Sequence, residues 1–168
     1  LSSDVPLAFA DVADNPGGGG RGNTMWILEA FHRAGVQGAV FGVIHDPALA
    51  REAHERGLGA RFEARFNRDA AQDPFARPFA AEAEVIALSD GRITGRRGIF
   101  AGMAMQLGRS ARLRLGGIEV VVIEGRTQCA DPAFLEHFGI DIARARCVVV
   151  KSRGHFRGGF DEFFDHAR

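Results

Sequence analysis

Asp11-Val12-Ala13-Asp14-Asn15-Pro16-Gly17-Gly18-Gly19-Gly20-Arg21-Gly22 follows a mostly apolar run at residues 5–10 and precedes a stretch with helical apolar spacing. A short buried strand, a turn stiffened by Asp14-Asn15-Pro16, four glycines and a helix together read as the entry of an α/β domain. Glycines tolerate positive φ and let another group approach the backbone, and a helix start offers unpaired N–H donors. The loop therefore suits a phosphate, a carboxylate or an oxyanion. It lacks the Gly-Lys-Ser/Thr ending of a Walker loop. The plainer reading is a flexible surface connection, although such a linker needs no side-chain-bonded turn.

Outward from this loop the same alternation continues. Asn23 or Thr24 is placed to cap a helix whose residues Ile27, Leu28, Phe31 and Ala34 share one face, and Gly35 ends it. Residues 39–44 form a second buried strand, and Asp46-Pro47 starts a helix that runs to about Gly57. Residues 60–66 alternate in part, and residues 69–78 are a polar, proline-containing connection. Ser89-Asp90-Gly91 reads as a hairpin turn between residues 82–88 and 93–97, and residues 103–107 and 111–115 read as another strand pair. Gly116-Gly117 leads into the apolar run 118–123. A short helix follows from Asp131-Pro132 to Phe138, then a last buried strand at 147–150 and an aromatic-rich helix near 160–167. The sum is an α/β fold: one domain over residues 1–168, a mixed β-sheet with flanking helices and an antiparallel hairpin insert.

Composition narrows the function. With 168 residues and 46% hydrophobic content the chain can bury a proper core. Lys+Arg 21 balance Asp+Glu 21, which removes the electrostatic case for nucleic acid or an anionic membrane as partner. No run approaches a membrane span or a signal peptide. Cys129 and Cys147 stand singly and read as free thiols, which suggests a reducing, cytoplasmic setting. The chain opens at Leu1 without Met, and both ends read as cut from something longer. Lys151 is the single lysine among the 21 basic residues. That is either a by-product of arginine-rich composition or a place that needs a compact ammonium.

Ligands of open α/β sheets gather beyond the carboxyl ends of the parallel strands. Here those ends supply Asp11, Asp14 and Asn15; His45 and Asp46; Arg126, Thr127 and Gln128; and Lys151, Ser152 and His155. Lys151 and His155 are the candidates for catalysis, by binding an anionic group or moving a proton. Asp11, Asp14, Asn15, Gly17, Gly18, Gly19, Gln128 and Ser152 are the candidates for substrate binding. Asp46 is already explained as a helix cap, and Ser152 lacks a Gly-x-Ser-x-Gly elbow. No metal motif is complete, so no metal ligand is assigned; the one composite site the residue types allow draws on Asp11, Asp14 and His155. Phe156, Phe160, Phe163 and Phe164 read as core, with a self-association face as the rival reading.

Asp11-Val12-Ala13-Asp14-Asn15-Pro16-Gly17-Gly18-Gly19, Arg126-Thr127-Gln128, Gly139-Ile140-Asp141, Val149-Val150-Lys151-Ser152 and His155-Phe156-Arg157 resemble, in order and spacing, the carboxy-terminal domain of the microcystinase C (MlrC) family. The resemblance covers nearly the whole chain. It implies a zinc-dependent, metallopeptidase-like hydrolase whose zinc is held by an amino-terminal domain absent from this chain, and one further strand beyond Arg168. The expected cofactor is thus none in this chain and zinc in the full-length protein. The expected partners are that amino-terminal domain and a peptide or amide substrate. In this reading the glycine loop and Asn15 face substrate or stabilise an oxyanion, and the isolated chain is inactive. The alternative is a stand-alone anion- or phosphate-binding module without catalysis.

Overall fold

The computed structural model describes residues 6–68, 73 and 75–164. Its strands are β1 (Leu7–Ala10), β2 (Ala39–His45), β3 (Arg61–Phe66), β4 (Phe79–Ser89), β5 (Arg92–Thr94), β6 (Ala104–Gln106), β7 (Ser110–Leu115), β8 (Ile118–Ile123) and β9 (Cys147–Val150). The helices are α1 (Trp26–Arg33), α2 (Pro47–Arg56), α3 (Ala133–Glu136) and α4 (Phe156–Phe160).

The continuously apolar runs become the parallel part of one seven-stranded sheet, ordered β1-β9-β2-β8-β7-β4-β3. β1 pairs parallel with β9, and β2 lies between β9 and β8, parallel to both. β7, β4 and β3 extend the sheet antiparallel. This mixture explains the two sequence patterns: β9 is buried throughout, whereas β3 alternates exposed and buried residues because one of its faces meets solvent.

Helices cover both faces. On one, Leu28 of α1 and Leu49, Ala50 and Ala53 of α2 pack against Phe41, Val120, Val122 and Val149. On the other, Phe134 and Leu135 of α3 and Phe156 and Phe160 of α4 pack against Val40, Val121, Val148 and Val150. The residues from β2 reach both cores out of strict alternation because its register against β8 shifts between Phe41 and Ile44. Gly42 lies at that shift, where an added Cβ would come within 2.4 Å of Leu135 Cδ2.

Four expectations are corrected. β4 and β5 do not form a hairpin: Ser89-Asp90-Gly91 turns the chain out of the main sheet, and β5 pairs with β6 in a separate two-stranded sheet. β6 and β7 therefore do not pair either; β7 finds β4 and β8. Met25, not Asn23 or Thr24, is the N-cap of α1, because the Thr24 side chain is drawn into the loop described below. The last helix is Phe156–Phe160 and not residues 160–167, since residues 161–163 form a turn; the expectations at residues 1–5, 69–72, 74 and 165–168 lie outside the described residues. Phe156 and Phe160 are buried and Phe163 and Phe164 pack against the same core, which is the core reading of that cluster.

Candidate functional site

The parallel order β1-β9-β2-β8 sets four strand ends side by side along one edge of the sheet. Asp11, Lys151, His45 and Glu124 each follow directly on or end one of these strands. The four polar clusters expected from sequence are thus neighbours.

Lys151 is at their centre and is only 4% exposed. Its Nζ donates to Asp11 Oδ2, Asp14 Oδ2 and Thr24 O at 2.8 Å each, with Thr24 Oγ1 at 3.0 Å. Three ammonium protons meet four oxygens arrayed around one point, a geometry that a planar guanidinium could not reproduce. That accounts for a lysine in an arginine-rich chain. It also leaves Lys151 without a proton directed at a ligand, so the expected anion-binding or proton-moving lysine is instead the staple that ties β9 to the loop.

Asp14, 2% exposed, completes the staple. It accepts from Gly22 N at 2.7 Å, Thr24 N at 2.8 Å and Thr24 Oγ1 at 2.9 Å. Burial pushes its carboxyl up, but the charge of Lys151 and the bonds from Lys151, Thr24 and Gly22 outweigh burial and hold it below the usual value. The backbone donors ahead of α1 therefore already hold an anion, and it is the protein's own Asp14.

The glycine run is equally self-contained. Gly17 N donates to Asn15 Oδ1, Gly18 N and Gly20 N to Asn15 O, and Gly19 N to Pro16 O. The expected cradle of outward N–H groups at Gly17, Gly18 and Gly19 is corrected on this point: those donors close the short turn Pro16–Gly18 on Asn15 and Pro16 instead of facing a ligand. Gly17 has a different part, in packing. A Cβ there would fall 2.5 Å from Gln128 Oε1, so the loop packs on Gln128.

Gln128 leads to the group that does face outward. Its Nε2 lies 3.1 Å from His155 Nδ1, and Ser152 Oγ donates to its Oε1 at 3.4 Å. The Gln128 amide meets Nδ1 with both ends, Nε2 at 3.1 Å and Oε1 at 3.2 Å, so it holds the ring by Nδ1 in either tautomer. His155 is exposed, and its Nε2 has no partner among the described residues. Asp46 caps α2 through Leu49 N and accepts from Asn67 N, as its capping reading expects. His45 is pushed below its ordinary value by burial, with Arg126 assisting and carbonyl bonds opposing.

The residues do not fit a metal. Asp11 and Asp14 are neutralised by Lys151, and among the described residues no group of three or more His, Cys, Asp or Glu could hold an ion. Cys129 and Cys147 are buried free thiols whose ionisation burial pushes up. No helix of the described residues is long and apolar enough to cross a membrane.

Two clefts flank the loop; of their linings the sequence pointed to Asp11, Asp14 and Gly19 in one and to His45 and Asp46 in the other, but not to Trp26 or Phe75. One, of about 390 Å³, is lined by Asp11, Asp14, Thr24, Trp26, Ile27 and Phe75 among others. The other is polar and includes Arg21, His45, Arg51 and Arg68. Those three arginines are paired with Asp73, Glu124 and Glu52 respectively. Trp26 falls off the apolar face of α1, which was the one sign of its exposure available beforehand.

The fold and its polar edge define an α/β domain that presents its chemistry on loops after parallel strands. The chain belongs to the family described as MlrC C-terminus, whose model matches residues 9–167. It is 29% identical over 157 residues to microcystinase C of Sphingomonas sp., covering 94% of this chain and 30% of that protein. It also resembles the crystal structure of a protein from Mesorhizobium sp. BNC1 provisionally named a metallopeptidase, with a TM-score of 0.85 and 25% identity, over 98% of this chain and 33% of that one. The chain thus spans about a third of the length of the relatives it matches.

Proposed function

We propose that this chain is the carboxy-terminal part of a metallopeptidase-type amide hydrolase and forms one wall of its cleft. The observation that carries the reading is the row of polar strand ends with His155 as its outward group, in a chain of the MlrC C-terminus family. The names of the two relatives, one a microcystinase and one a metallopeptidase, supply the reaction class. The metal of such an enzyme is held outside this chain, since the carboxylates here are consumed by Lys151. The chain's own contribution is geometric. Lys151, Asp14 and Thr24 fix the loop, Gly17 seats Gln128, and Gln128 holds His155 by Nδ1 so that Nε2 faces a substrate carbonyl or carboxylate, to which it donates when protonated.

The test belongs in the longer protein that this reading requires. His155→Gln and Gly17→Ala should each lower amide turnover by about 10²-fold, the lower range for a positioned proton donor, with metal content unchanged. Unaltered turnover in both, or a parallel loss of metal, would refute the division of labour. The rival reading, a stand-alone anion-binding module, is weakened by the loop itself, whose N–H groups at residues 17–20 are all taken.

A further inference from the structure

Of the two clefts beside the loop, the one under Trp26 has a lining whose charges are all spent. Asp11 and Asp14 are bound to Lys151, and Asp73 is bound to Arg21 at 2.7 Å. What remains toward an incoming group is Trp26, Ile27, Phe75 and Ala13, with Asn23 Oδ1 as one uncharged, unpartnered acceptor. Trp26 is 53% exposed and Phe75 is 73% exposed, a heavy concentration of open aromatic surface for one small cleft.

Trp26 is also held in place. The Arg77 guanidinium lies over its ring, 4.3 Å from the centroid. Arg77 is itself fixed by two bonds to Glu29, one turn along α1, and Arg33 grips the same carboxylate at 2.6 Å. An aromatic ring clamped from one side by a paired cation loses little freedom when a ligand packs on what is left open. The cleft, about 390 Å³, is at the lower end for small-ligand pockets and suits one large side chain with its adjoining backbone. It is continuous with the strand-end site, since Asp11, Asp14 and Thr24 belong to both.

We infer that this cleft is a side-chain subsite, taking an aromatic or long aliphatic side chain of the amide substrate. The inference rests on the hydrolase reading above for the word substrate, but its binding test does not. Carbon-rich walls with no free charge reward apolar area and give a charged side chain no counter-ion. The remainder of a longer protein seated on Trp26 is the competing occupant.

Trp26 is the only tryptophan and the chain has no tyrosine, so intrinsic fluorescence reports this cleft alone. The 168-residue chain is titrated with N-acetyl-L-phenylalaninamide and, in parallel, with N-acetyl-L-alaninamide. The expected result is a saturable change with the phenylalanine probe only. Phe75→Ala should weaken it about tenfold, the loss expected from removing one apolar wall. No saturable change, an equal response to both probes, or a response untouched by Phe75→Ala overturns the subsite. In the longer protein, Phe75→Ala should raise KM for amides with an apolar side chain and leave those with alanine unchanged. Trp26 shielded there from acrylamide quenching would instead show the competing occupant and overturn it. If the probe binds while the longer protein cleaves no amide, the subsite stands and the hydrolase reading falls.

Discussion

Lys151→Met keeps the stem of the side chain and removes its charge. Asp14 would keep its bonds from Gly22 and Thr24 but lose its counter-ion while remaining 2% exposed. Removing one partner of a buried ion pair costs about 3–5 kcal/mol. The carboxyl has one escape, which is to take up a proton. Against an ordinary carboxyl near pKa 3.9, that costs about 4 kcal/mol at pH 7 and about 1.5 kcal/mol at pH 5. The cheaper route sets the loss, so the variant should be destabilised by about 3–4 kcal/mol at pH 7 and by roughly half that or less at pH 5. Urea unfolding of both proteins at the two pH values measures it, with the slope m checked for constancy. A loss under about 1 kcal/mol at pH 7, or one that does not shrink on acidification, would refute the staple. Lys151→Arg should not restore stability, because its fork cannot meet oxygens on three sides.

Other outcomes follow from the same geometry. Gly159→Ala places a Cβ 2.1 Å from the Ala130 carbonyl oxygen and should cost about 1–3 kcal/mol in urea unfolding, whereas Gly154→Ala, with open space around it, should cost far less. Because burial lowers the His45 pKa on folding, the unfolded chain binds a proton first as pH falls. Stability should therefore drop as pH passes down through about 6.5 and level off once the folded ring is protonated, and His45→Gln should flatten that segment of the profile. Asp14, held low in the folded chain, contributes stability above about pH 4 that disappears on further acidification; Asp14→Asn should remove that acid limb. Cys129 and Cys147 should react with a thiol reagent only at the rate of unfolding, since both are buried and reluctant to ionise.

What could be read beforehand was what each stretch dictates by itself. Val148 and Val150 face one core and Cys147 and Val149 the other, so a continuously apolar run marked a two-faced buried strand. Asp46-Pro47 set a helix start locally, and the structure keeps it. Pairing was not legible. A turn at Ser89-Asp90-Gly91 says that the chain reverses but not whether the next strand returns to the same sheet, and β5 leaves for β6. The site divides in the same way. That polar residues crowd the strand ends was visible, but the direction of each donor was not. The N–H groups of residues 17–20 turn inward because Asn15 offers two acceptors and Pro16 O a third, and Lys151 is saturated because Asp11, Asp14 and Thr24 all converge on one nitrogen. Trp26 was hidden because an aromatic residue beside Met25, Ile27 and Leu28 reads as core until its burial is known, and Phe75 because a single aromatic in a polar connection has no pattern around it.

The bond between Lys151 and Asp14 joins residues 137 positions apart in the chain. Closing so long a span carries an entropic cost that nothing near the loop offsets, and it is recovered only when β9 is in place between β1 and β2. The loop is therefore among the last parts of the domain to take shape. A chain cut before residue 151 would hold the complete glycine loop in sequence and lack the lysine that ties it to β9. The loop is in this sense a seal on the finished fold, set only once both ends of the domain have met.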